Sequence, residues 1–143
     1  MAFKSAHHPI VWIGICVSIG MTSCGQSGPK VEFGKVQGAV LINGRPQRNV
    51  QVLFGPDPEK GNRLPALAGA VSDDQGNYAL KYSYLNKTGE GAPVGWNRVS
   101  LLDLSAGNGK ASAIPPSYGA AATSPLVVEV KAGDNTINLE VKK

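Results

Sequence analysis

The side chains best suited to nucleophilic attack, proton shuttling or soft-metal ligation are crowded into the first 24 positions of this 143-residue chain. Its two cysteines are Cys16 and Cys24, and its two histidines are His7 and His8. From residue 25 onward there is neither. Ser-His-Asp and Cys-His catalysis, and zinc sites built on His or Cys, need side chains that this stretch does not contain. What is left is carboxylate, lysine or tyrosine chemistry, and oxygen-ligand sites for calcium or magnesium. The expectation is a protein that is not an enzyme and uses no cofactor and no metal.

The segment around those residues has its own pattern. Lys4 is followed by a twelve-residue, mostly apolar stretch from Ile10 to Met21. A membrane-spanning helix needs about 20 apolar residues, so this stretch is too short to span. Its length suits the hydrophobic region of an export signal. Met21-Thr22-Ser23-Cys24 comes next. These four residues resemble the bacterial lipobox, with Thr22 and Ser23 as in the usual pattern and Met21 in place of leucine. The resemblance implies that residues 1–23 are a lipoprotein signal peptide cut just before Cys24, and that the Cys24 thiol is the lipidation site. The chain is then exported and lipid-anchored to the bacterial cell membrane or outer membrane, with its domain facing the periplasm or the exterior. Each buried methylene contributes about 0.8 kcal/mol and a single acyl chain binds only marginally, so two or three chains are needed for a lasting anchor. Residues 24–34, rich in Gly, Ser and Pro, read as a flexible tether.

Beyond residue 23, thirteen Lys and Arg against ten Asp and Glu leave a net charge of +3. The charges are scattered, with no basic stripe, so nucleic acid is not an expected partner. Such a balance keeps a domain soluble and adds mild attraction to anionic headgroups or acidic glycans.

The length left after the signal suits one domain and one core, residues 35–143. Gly and Pro supply 28 residues, which fits short strands joined by turns. Seven runs have strand character: 35–42, 50–54, 66–72, 77–83, 96–103, 126–130 and 136–141. In the last, Ile137, Leu139 and Val141 alternate with Asn138, Glu140 and Lys142, the period of a half-buried strand. Val50, Val52 and Phe54 alternate likewise, as do Tyr78, Leu80 and Tyr82. Asn43-Gly44 is a strong tight-turn dipeptide. Residues 86–93 and 105–123 read as loops. The expected fold is all-β, a seven-stranded antiparallel β-sandwich.

The order of several pieces is familiar. Gly38-Ala-Val-Leu-Ile-Asn-Gly-Arg-Pro46, then Val50–Phe54, then Ser72-Asp-Asp-Gln-Gly-Asn-Tyr78 resemble the carboxypeptidase regulatory-like, or transthyretin-like, domain. Gly91–Val99 and Ile114-Pro-Pro-Ser-Tyr118 are similar to segments of small planctomycete-type lipoproteins. The resemblance covers about residues 35–141. It implies a prealbumin-like, Greek-key sandwich and a structural, adhesive or accessory role. The hydroxyisourate-hydrolysing relative depends on histidines, and none follow residue 8 here.

Three groups of residues remain as candidate sites. Asp73-Asp74-Gln75-Gly76-Asn77 is acidic, but lacks EF-hand spacing and offers what a β-turn needs: Asp or Asn to cap and Gly for positive φ. Tyr84, Trp96 and Tyr118 could contact a sugar or peptide, with Tyr84 and Tyr118 expected to be exposed and Trp96 packed. In that reading the 86–93 and 105–123 loops share one end of the sandwich, and the partner is an envelope protein, a peptide or a glycan. Lys35 and Asn138 are the natural pair for an isopeptide crosslink, which would need a desolvated site.

Overall fold

A computed structural model describes residues 30–143. Residues 1–23 and Cys24, with the proposed cleavage and lipidation, lie outside the described residues. The described chain is all-β, two sheets packed over one core. In order, the strands are β1 (Phe33–Ile42), β2 (Arg45–Pro46), β3 (Val50–Pro56), β4 (Leu67–Val71), β5 (Asn77–Ala79), β6 (Lys81–Tyr84), β7 (Lys87–Glu90), β8 (Ala92–Pro93), β9 (Gly95–Asp103), β10 (Val127–Val130), β11 (Asp134–Thr136) and β12 (Leu139–Val141). No described helix is long and apolar enough to cross a membrane.

The larger sheet runs β10-β9-β3-β4-β6-β7, and all its pairings are antiparallel. The smaller sheet is built around β1. Along one side of it lie β8, β5 and β2, all antiparallel. Along the other lie β11 and β12, both parallel to it. The expected antiparallel arrangement therefore holds except at the last two strands. They return to the start of the sheet through a turn that sets them in the direction of β1.

All seven expected runs form strands, but two of them are divided. The 77–83 run breaks at Leu80, whose N–H donates to the Val36 carbonyl while its own carbonyl accepts from Gly91. The chain passes there from the small sheet (β5) to the large one (β6). The inward alternation of Tyr78, Leu80 and Tyr82 continues around that corner, so the sequence pattern does not register it. The 136–141 run breaks at Ile137 and Asn138. The 86–93 segment is mostly strand: β6 and β7 form a hairpin whose tip is Leu85-Asn86. The 105–123 segment is a long connection, as expected, with one 3-10 turn over Pro116–Tyr118.

The turn residues behave as their chemistry dictates. Asn43 and Gly44 both have positive φ, 48° and 77°, and close the β1–β2 hairpin. Asp73 Oδ1 accepts from the backbone N–H groups of Gln75 and Asn77 at 2.9 and 2.8 Å, and Gly76 takes φ 80°. That carboxylate is occupied as a turn cap.

The core joins Val36, Val40 and Ile42 of β1 to Val50, Val52 and Phe54 of β3, Val99 and Leu101 of β9, and Leu139 and Val141 of β12. Tyr78 lies among them, its hydroxyl donating to the Ile137 carbonyl at 2.6 Å. Burial raises the pKa of this phenol above its usual value. The neutral form is therefore favoured by folding, and the unfolded chain ionises first, near pH 10. The stabilisation is complete below that pH and declines as pH rises beyond it. Tyr78→Phe is expected to lose about 1 kcal/mol at neutral pH. In alkaline denaturation monitored by circular dichroism, the variant is also expected to show a shallower fall in stability above pH about 10 than the native chain.

Candidate functional site

The strand directions give the sandwich two ends. At the proximal end the chain enters β1, and the connections 57–66, 85–86, 94 and 131–133 gather around it. At the distal end lie the Asn43-Gly44 turn, the Ser72–Gly76 turn and the C-terminal residues.

The three aromatic candidates do not form one platform. Tyr118 is 8% exposed, contrary to expectation. It packs in the core with Ile114 and its hydroxyl accepts from Lys142 N at 3.3 Å, at the distal end. The run Ile114-Pro115-Pro116 turns the long connection back onto the core, so its apolar residues serve burial. Trp96 is the reverse case: expected to pack, it is 38% exposed on the outward face of β9, with Lys60 Nζ 5.4 Å from the ring centroid. Tyr84 is half-buried at the proximal end, its ring tilted 6.4 Å from that of Phe33. Phe33 in turn stacks on Tyr82 at 3.6 Å. Three strand spacings, about 14 Å, separate the strands of Trp96 and Tyr84. The two loops expected to share an end do so only in part: the 85–86 tip is proximal, while the 105–123 connection leaves β9 distally and reaches the proximal end only at Ala121 and Ala122, beside Asp57 and Arg98.

The crosslink pair is likewise undone. Lys35 Nζ lies 3.5 Å from Glu90 with both side chains largely in solvent, and Asn138 Oδ1 accepts from Ala39 N on the exposed face. Neither group is desolvated. Among the described residues, no group of three or more His, Cys, Asp and Glu is placed to hold a metal ion.

What the fold does assemble is an ion cluster at the proximal end. Arg98 faces outward on β9, two residues after Trp96, beside the connection that follows β3. Its Nη2 is 2.7 Å from Glu59 Oε2 and 3.1 Å from Asp57 Oδ2. Asp57 is buried, and its Oδ1 accepts from Glu59 N at 3.0 Å, capping the 3-10 turn Pro58–Lys60. The bonds to Glu59 and Asp57 push the Arg98 guanidinium above its usual pKa. Asn62 secures the same loop through Nδ2 to the Trp96 carbonyl at 2.9 Å. Among the described residues, the buried Arg98 Nε and Asn97 Oδ1 have no hydrogen-bond partner. A groove of about 320 Å³ opens beside the cluster, closed by Ala121 and Ala122 of the long connection. Both carboxylates engage the same guanidinium, and the cluster's evident work is to pin residues 57–62 against β9.

Asp57 had one readable signal: an Asp directly before Pro58 is a helix-cap pattern. Its bond to Arg98, 41 residues away, had none. Two further surfaces stand out. A shallow groove of about 590 Å³ runs over Gly38 and Ala39, edged by Gln37, Asn77, Thr136 and Asn138. The outward face of the large sheet carries Leu53, Leu67, Val71 and Leu102, all exposed.

Comparison with protein-family models, with curated proteins and with solved structures returns no match to this chain.

Proposed function

We propose that this chain is a non-enzymatic lipoprotein of the bacterial cell envelope, a structural or adhesive module held to a membrane by lipid on Cys24. The observation that carries the reading is Met21-Thr22-Ser23-Cys24 directly after a short apolar stretch headed by Lys4. It is supported by the absence of any other cysteine, and of any histidine, from residue 25 onward. It is also supported by the position of the sandwich, whose first strand begins nine residues after Cys24. The prealbumin-like, carboxypeptidase regulatory-like identity of the sandwich belongs to the same proposal. Its support is the order of the Gly38–Pro46, Val50–Phe54 and Ser72–Tyr78 segments, in an all-β domain of two sheets. An envelope protein or glycan is the class of partner such a module serves.

Produced at full length in a Gram-negative host, the protein is expected to fractionate with membranes. Its intact mass should lack residues 1–23 and include two or three acyl chains. Cys24→Ser should remain as uncut precursor or appear in the soluble fraction with the domain still folded. A Cys24→Ser chain that is cut at the same place and stays on the membrane would sink the reading.

A further inference from the structure

The tether and the strand lengths together decide which part of the sandwich meets the membrane. Cys24 and Phe33 are nine residues apart. Fully extended, those residues reach about 30 Å, and as a flexible coil they average about 17 Å. The ten-residue β1 is itself about 33 Å long. A lipid on Cys24 therefore keeps the proximal end close to the bilayer, while the distal end reaches it only if the tether is stretched out and the domain inverted.

The proximal end has the composition of a surface that faces headgroups. Lys30, Lys60, Arg63, Lys87 and Lys131 are exposed there, and among the described residues none is within ion-pair distance of a carboxylate. The exposed acids at this end without an ion-pair partner among the described residues are Glu32, Glu129 and Asp134, three against those five cations, while Asp57 and Glu59 are both held by Arg98. At the tip of the β6–β7 hairpin stands Leu85, 74% exposed, the most exposed large hydrophobic residue among the described residues. Its φ is +53°, a conformation for which Gly or Asn is the ordinary choice. Folding gains nothing from an apolar side chain in that place. Trp96, with Lys60 over its ring, adds an aromatic of the kind that settles at membrane–water interfaces.

We propose that the proximal end is a bilayer-docking surface: Leu85 and Trp96 insert among the headgroups of an anionic membrane, and Lys60, Arg63, Lys87 and Lys131 contact the headgroup phosphates. The proposal rests on the lipid-anchor reading of Cys24, and extends it from attachment to a fixed orientation. The distal end, with the Asn43-Gly44 turn and the C-terminus, then points away from the membrane and is the end a partner meets.

The test uses the full-length, processed chain in vesicles of phosphatidylethanolamine and phosphatidylglycerol. Processing removes Cys16 and acylates Cys24, so a cysteine introduced by Leu85→Cys or Asn86→Cys is the only free thiol for a nitroxide label. Arg45→Cys labels the distal end. Collision of the label with oxygen, which concentrates in the bilayer, is compared with collision with a water-soluble nickel chelate. At 85 and 86 the nickel-to-oxygen ratio is expected to be several-fold lower than at 45, and to rise toward the distal value when Lys87→Glu and Lys131→Glu are added. A chain that floats with the vesicles and has its acyl mass, yet shows equal ratios at all three positions, overturns the docking surface and leaves the anchor standing. A chain that neither floats nor has acyl mass overturns the anchor reading, and the docking surface with it.

Discussion

Gly38→Ala is expected to lower the melting temperature by about 9–17 °C, because an added Cβ has no free space to occupy. The position it would take is that of the Ile137 carbonyl: the carbonyl carbon lies 2.6 Å from it, and the oxygen closer still. That carbonyl cannot simply swing away. It accepts the Tyr78 hydroxyl, and Ile137 N donates to the Gln37 carbonyl, holding the chain between β11 and β12 against β1. Overpacking alone costs about 1–3 kcal/mol, and the displaced hydrogen bond adds about 1 kcal/mol. Against a domain stability of about 5–15 kcal/mol, this is a large fraction. Thermal unfolding by circular dichroism checks it, and a melting temperature within a few degrees of the native chain would show that Ile137 and Asn138 can shift without loss. Gly44 makes a useful contrast. Its Cβ would meet nothing within 4 Å, but its φ is +77°, so Gly44→Ala carries only the smaller cost of left-handed backbone, about 1–2 kcal/mol.

Asp103→Ala is expected to free the long connection while leaving the sheets paired. Asp103 is buried at the end of β9, and its two oxygens brace the connection at two points. Oδ1 accepts from Ser105 N and Oδ2 from Ala113 N, both at 2.8 Å. Between them lies an exposed turn around Lys110, and just beyond them Ile114 and Tyr118 enter the core. Hydrogen bonds to a charged acceptor are worth about 1.5–3 kcal/mol. Loss of about 2–3 kcal/mol of local stability raises the open population about 30- to 150-fold, and trypsin cleavage after Lys110 should quicken by a similar factor. Asp103→Asn keeps one acceptor and turns an amide donor toward the other N–H, so it should fall between the two. Cleavage of Asp103→Ala at the native rate would mean that the packing of Ile114 and Tyr118 holds the connection unaided.

The Gly38–Ile137 contact joins residues far apart in the chain, and contacts of that kind are the least legible in the sequence. The period-two alternation of Tyr78, Leu80 and Tyr82 reports which side of the backbone faces the core. It is silent about which sheet the strand has joined, because a corner preserves inside and outside while changing partners. The same holds at 136–141, where the inward residues were correct and the break at Ile137 and Asn138 was not legible. Exposure of the aromatics failed for a related reason. Trp96 sits at an outward position of β9 that no neighbouring strand covers, and Tyr118 lies on a connection that two prolines fold back into the core.

Some properties were decided locally. Asn43-Gly44 and Asp73–Gly76 turn as their backbone chemistry requires. The want of histidine and cysteine beyond residue 24 is a matter of composition that folding cannot alter. Only the tertiary structure decided that Arg98 reaches Asp57, that Gly38 yields its space to Ile137, and that Leu85 and Lys87 come to the end of the sandwich at which β1 begins. Each of these depends on strand register, which brings together residues that no local pattern relates.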